Sequence, residues 1–215
     1  MPTDTEPTGA REPAASPSTR ARSSFGLAVA GLLVALLLLG TGGYLWLSQG
    51  QGGESSIGGP FSLVNGDGKP VTDRDFRGRY MLVYFGYTTC PDVCPTTLNE
   101  VADAMEKLGP RAARVQPIFI SVDPQRDSPA VVKQYVASFS PRLVGLTGTP
   151  DEVAKAAKAY RVYYAVHRTG TSPDEYTLDH SSILYLMSPD GKFVAPIRAD
   201  EMGDKMAADL EKLTS

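Results

Sequence analysis

Four side chains of this 215-residue chain could carry sulfur or soft-metal chemistry: Cys90, Cys94, His167 and His180, its whole complement of cysteine and histidine. The cysteines are spaced C-x-x-x-C within Tyr84-Phe85-Gly86-Tyr87-Thr88-Thr89-Cys90-Pro91-Asp92-Val93-Cys94-Pro95. On helical backbone, residues four apart share a face, with Cβ atoms about 5–6 Å apart. Pro95 fits the start of a helix and Pro91 restricts the turn between the cysteines, so the two sulfurs can approach. Two thiolates side by side either oxidise to a disulfide or take a soft ion, Cu(I) or Zn(II). A third ligand must be His167 or His180. His167 borders the polar stretch 169–175 beside Arg168 and reads as an exposed loop-edge histidine. His180 lies in Leu178-Asp179-His180-Ser181-Ser182, just before the apolar run Ile183–Met187. A polar triplet at a strand's entrance points toward a site, although capping and packing are equally open to it. Asp92, Asp123 and Asp179 are charges near these residues, read as hydrogen-bond acceptors or surface charge and not as ligands. Asp123 precedes Pro124 and suits a turn.

The elements that must position these residues alternate along the chain. Tyr80–Tyr84 (YMLVY) is a short apolar run expected as a buried central strand, and Pro95–Leu108 is the helix that follows, stopped by Gly109-Pro110. The cysteines therefore fall between a strand's carboxyl end and a helix N-terminus, where ligands collect in open α/β sheets and backbone N–H groups favour a thiolate. Val115–Val122 is a second buried strand. Ser128-Pro129 opens a helix running to about Phe139, Leu143–Leu146 is a short strand, and Thr149-Pro150 caps a helix to about Tyr160. Hairpins are expected around Asn65-Gly66-Asp67-Gly68 and around Ser188-Pro189-Asp190-Gly191, with a last helix over about Glu201–Leu213. This order indicates an α/β sandwich with a mixed central sheet.

Composition excludes some functions. Lys+Arg is 21 against Asp+Glu 24, a formal net charge of -3, with no basic excess to hold a phosphate backbone. Residues 1–24 hold no Leu, Ile, Val or aromatic residue and read as a disordered tail. Residues 25–47 carry no charge and, as a helix, would span about 34 Å, enough for a hydrocarbon core of roughly 30 Å. Arg20 and Arg22 precede this run and residues 48–60 lack Lys and Arg, so the tail is expected to be cytoplasmic and the remainder extracytoplasmic. Residues 48–59 are Gly/Ser/Gln-rich and read as a flexible linker to a domain over 60–215.

Three segments in order, YFGYTTCPDVCP at 84–95, SVDPQRD at 121–127 and DHSSILYLMSPDGKF at 179–193, resemble the Sco/SenC family of membrane-tethered copper chaperones. The resemblance implies a thioredoxin-like fold, copper held by Cys90, Cys94 and His180, and delivery to the dinuclear copper centre of cytochrome c oxidase subunit II. It also implies that the copper histidine lies on a mobile loop, here the polar segment 169–179. Two rival functions use the same cysteines. A thiol–disulfide oxidoreductase would reduce a partner's cysteines without metal, although its usual motif is the shorter C-x-x-C. A peroxidase is disfavoured, because Tyr87 stands where peroxiredoxins place Thr, and the only Trp is Trp46, outside the domain.

Overall fold

A computed structural model describes residues 32–41, 57–172 and 175–215. The chain divides into two compact units, residues 1–54 and 55–215. In the first, residues 32–41 form a helix, α1, whose Leu32–Leu39 side chains are exposed. Thr41 Oγ1 donates to the Leu37 carbonyl at 2.7 Å. Among the described residues no helix is long and apolar enough to cross a membrane. The tail expected at 1–24, most of the linker expected at 48–59 and the flanks of the run 25–47 lie outside the described residues.

The second unit is built on a seven-stranded sheet, ordered β2-β1-β5-β4-β3-β8-β9. Its strands are β1 (Ser62–Asn65), β2 (Pro70–Thr72), β3 (Tyr80–Gly86), β4 (Val115–Ser121), β5 (Val144–Thr147), β8 (Ile183–Met187) and β9 (Phe193–Arg198). The central strands β3, β4 and β5 are parallel, while β1, β8 and β9 join antiparallel, so the sheet is mixed as expected. Alternation along β3 sorts its side chains onto two cores. Leu82 and Tyr84 face α2 (Val93–Leu108), α3 (Pro129–Ala137) and α5 (Gly203–Leu213). Met81, Val83 and Phe85 face α4 (Pro150–Ala159) and the opposite core. Burying each such large apolar side chain contributes roughly 1.5–3 kcal/mol, which is what holds the strand end at the site in place.

The helix starts follow the cap chemistry. Ser128 Oγ accepts from the Val131 amide with Pro129 behind it, and Thr149 and Glu152 form a reciprocal capping box. Several boundaries differ from the sequence reading by one or two residues, and three bear on the site's surroundings. Strand β3 continues to Gly86, two residues past Tyr84, because all seven of its positions pair with β4. Helix α2 begins at Val93, placing Pro95 in its first turn, where the missing N–H has no intrahelical acceptor to lose. After Gly109 a 3-10 turn over Gly109–Arg114 carries the chain into β4.

The larger difference concerns the segment before His180. Residues 169–179 do not form one polar loop. Tyr164–Arg168 (β6) and Tyr176–His180 (β7) pair antiparallel as a separate two-stranded sheet, with Tyr164 opposite His180. Along β7, Tyr176 and Leu178 are buried while Thr177 and Asp179 are exposed. The two-residue period therefore puts His180 on the inward face.

Candidate metal centre

Three elements deliver the site, two adjacent in sequence and one distant. The turn leaving β3 carries Cys90, the first turn of α2 carries Cys94, and the end of β7 carries His180. Their ligand atoms all lie within 4.8 Å of one another. Cys94 Sγ is 3.2 Å from His180 Nε2, and the Cys94 amide donates to Cys90 Sγ at 3.4 Å. Both cysteines are free thiols, Cys94 fully buried and Cys90 partly exposed. Exposure at Cys90 makes it the sulfur that an incoming ligand or thiol meets first.

The imidazole is oriented from both sides. His180 Nδ1 lies 3.3 Å from the Ser181 carbonyl, which turns Nε2 toward the sulfurs. Tyr84 and Tyr87 meet the ring edge-on, at centroid distances of 5.9 and 5.8 Å. The Tyr84 hydroxyl also points at Cys94 Sγ, 3.8 Å away. A shallow depression lined by Tyr87, Cys90, Asp92, Val93, Leu178 and His180 opens the site to solvent.

The thiols share their protons unequally. The Cys94 thiol, His180 and the backbone amides of Cys94 and Asp92 all favour a Cys90 thiolate, and they pull its pKa from 9.0 to about 3 against the cost of burial. The thiolate at Cys90, together with burial, pushes Cys94 far above the ordinary thiol range. The pair therefore titrates as a unit that loses one proton early and keeps the other. Because the folded value of Cys90 is depressed, its thiolate favours the folded state fully above the ordinary thiol pKa, and that contribution declines progressively as pH falls from 9.0 to about 3. Absorbance near 240 nm is expected to show one thiolate per chain at neutral pH, and not two or none. Alkylation confined to Cys90, with a rate flat between about pH 5 and 8, is the second signature.

Gly86, the last residue of β3, leaves the space that Cys94 occupies. A Cβ there would stand 2.7 Å from Cys94 Sγ and 2.9 Å from the Phe119 ring. Both neighbours are fully buried, so neither can swing aside. Gly86→Ala is expected to cost about 1–3 kcal/mol by overpacking and to displace Cys94 Sγ. A chemical-denaturation midpoint and a metal titration on the same variant measure the two effects.

The other candidates fall into place around this centre. His167 is on β6, 55% exposed, and pairs with Asp179 at 2.7 Å on the outward face of the hairpin, away from the cysteines. Asp92 precedes α2 and makes no side-chain cap bond. Asp123 is buried, accepting from Tyr176 and paired with Arg126. The sequence reading missed Tyr84, Tyr87, Gly86, Arg126, Asp127 and Tyr176 as contributors to the site's geometry. The first three stand in the cysteine motif, and Arg126 and Asp127 in SVDPQRD, but no spacing rule relates that run to Cys90 or His180.

Sheet, helices and site together define a thioredoxin-like domain that offers two sulfurs and one imidazole nitrogen to a soft metal at a strand's carboxyl end. Such a donor set is suited to copper. The chain belongs to the SCO1/SenC family, whose model matches residues 49–215. It is 47% identical over 143 residues to the mitochondrial SCO1 homolog 1 of Arabidopsis thaliana, covering 66% of this chain and 42% of that protein. It is 48% identical over 143 residues to the SenC protein of Rhodobacter capsulatus, covering 66% of this chain and 63% of that one. The chain thus spans about half the length of the curated relatives it matches. The structure of Bradyrhizobium japonicum ScoI with copper bound is similar with a TM-score of 0.67 and 47% identity, covering 74% of this chain and 99% of that one.

Proposed function

We propose that this chain is a copper chaperone that binds one Cu(I) through Cys90, Cys94 and His180 and passes it to the dinuclear copper centre of cytochrome c oxidase subunit II. The observation that carries the reading is the convergence of the three ligand atoms within 4.8 Å. Thiolates and an imidazole nitrogen suit trigonal Cu(I) and discriminate against hard cations. Copper is cargo here, so a site with one partly exposed sulfur is suited to ligand exchange with an incoming protein. On the same reading residues 25–47 anchor the chain in a membrane, with residues 1–24 cytoplasmic and residues 48–59 tethering the extracytoplasmic domain 60–215.

Redox state gates loading. Oxidation joins Sγ of Cys90 to Sγ of Cys94, removes two electrons and releases the remaining thiol proton, after which neither sulfur is a thiolate ligand. The chain is therefore expected to take up one Cu(I) when reduced and none when its cysteines are oxidised, measured by anaerobic titration against a chromogenic Cu(I) chelator. Failure of the reduced chain to compete for Cu(I) overturns the reading.

The unequal thiols favour one alternative, a thiol–disulfide oxidoreductase. The Cys90 thiolate would attack a partner disulfide and expel one partner thiolate. Cys94, losing its proton, would then close the Cys90–Cys94 bond and expel the second, so two electrons pass to the partner. Reduction of an oxidised subunit II peptide by a chain that binds no copper is the result that selects it.

A further inference from the structure

The run SVDPQRD lies outside the ligand set, yet its side chains reach both elements that carry ligands. Asp123 is 3% exposed at the end of β4. One of its oxygens accepts from the Tyr176 hydroxyl at 2.7 Å, and the other is 2.5 Å from Arg126 Nε. Arg126 Nη1 donates to the Tyr176 carbonyl at 2.9 Å, and its guanidinium lies over the Tyr176 ring, 3.6 Å from the centroid. The same guanidinium stands 5.9 Å from the centre of Tyr87, the ring that meets His180 edge-on. Tyr87, Tyr176 and Leu178 form a small apolar cluster of their own, with Cys90 against it.

We infer that Arg126, braced by Asp123, is a positioning residue for His180: it fixes the β6–β7 hairpin and Tyr87 in register, so that the imidazole meets the two sulfurs. Three observations carry this. Among the described residues the hairpin makes no ladder to the seven-stranded sheet, so apart from its continuity with β8 side chains hold it. Tyr176 begins the strand that His180 ends, and an extended strand transmits a fixed end over four residues. The planar fork of arginine can bond Asp123, bond the Tyr176 carbonyl and stack on the ring at once, which the point charge of lysine cannot. The consequence for copper affinity rests on the chaperone reading; the consequence for the ring's position does not.

The test uses the whole chain and two readouts. In the reduced, metal-free chain the two histidines are expected to give two resolved imidazole Cε1–H proton resonances. That of His180 carries ring-current shifts from Tyr84 and Tyr87, and that of His167 does not. Arg126→Gln is expected to move the His180 resonance toward the position of exposed His167, and Arg126→Lys to move it almost as far. In Cu(I) competition, Arg126→Gln is expected to weaken binding about 10–100-fold, the scale seen when groups that orient a metal ligand are lost. Combined with His180→Ala it should add less than about twofold, because it acts through that residue. Tyr176→Phe, which removes one hydroxyl, should give a smaller change in the same direction, and it carries both readouts if Arg126→Gln does not fold. An unmoved His180 resonance overturns the inference, as does an Arg126→Gln penalty that persists in full when His180 is already alanine. A wild-type chain that takes up no Cu(I) while the resonance still moves removes the chaperone reading and leaves the positioning role standing.

Discussion

Replacing Cys94 by alanine is expected to abolish competition for Cu(I), and replacing His180 to weaken it by roughly two to three orders of magnitude. Taking four-ligand structural zinc sites of the same ligand types as the scale, an apparent binding free energy of about 10–16 kcal/mol is roughly 2.5–4 kcal/mol per ligand, equivalent to about 10²–10³-fold. Cys94 should cost more than His180. Its buried sulfur also holds the His180 Nε2 contact at 3.2 Å and the Tyr84 hydroxyl, so its removal disorders what remains. His167→Ala should bind copper like the wild type, since that imidazole pairs with Asp179 on the outer face. Affinities of the four chains against one chelator provide the comparison. Loss of binding in His167→Ala with retention in His180→Ala would reverse the ligand assignment.

The second large effect is on stability and falls at Asp127. This carboxylate is fully buried and accepts from the Thr88 amide at 2.9 Å, the Thr88 hydroxyl at 2.6 Å and the Ser121 hydroxyl at 2.6 Å. Its own main-chain carbonyl takes the Thr147 hydroxyl, so one residue ties the cysteine loop, β4 and β5 together. Asp127→Ala leaves the buried Ser121 hydroxyl and two part-buried Thr88 donors without an acceptor, each worth about 1–3 kcal/mol when fully buried, and solvent at Thr88 and hydroxyl rotation recover part of it. A net loss of about 2–4 kcal/mol is expected, a large share of a typical domain's stability. Urea unfolding of the reduced, metal-free chain measures it. A loss under about 1 kcal/mol would mean that water or a rearranged loop supplies the missing acceptor.

Strong local signals made most of the fold legible. Apolar runs gave the central strands, and Ser128-Pro129 and Thr149-Pro150 gave two helix starts to the residue. The cysteine pair was legible because its members are four residues apart on one turn. His180 needed more: physical reading alone left it between ligand and cap, and only the resemblance of three ordered motifs selected it. The hairpin that carries it escaped notice because His167, Arg168, Thr177 and Asp179 make the segment look like loop. The alternation Tyr176-Thr177-Leu178-Asp179-His180 was nonetheless a strand signal, with buried and exposed residues in strict turn. The Asp123–Arg126–Tyr176 contacts could not be read from sequence at all. They join residues 50 and 53 positions apart, and no local rule sets the distance between the β4 end and a separate sheet.

That separate sheet has a thermodynamic consequence. A two-stranded hairpin is marginal alone, so its opening is expected to require less free energy than global unfolding and its amides to exchange early. A metal ion bridging hairpin and α2 closes that unit by mass action, by about 2.7 kcal/mol when free metal stands at a hundred times its dissociation constant. On the chaperone reading, loading is expected to slow amide exchange across Tyr164–Arg168 and Tyr176–His180 and to leave the seven-stranded sheet unchanged. On the same reading, a partner that contacts the closed hairpin would distinguish a loaded chain from an empty one before any ligand is exchanged.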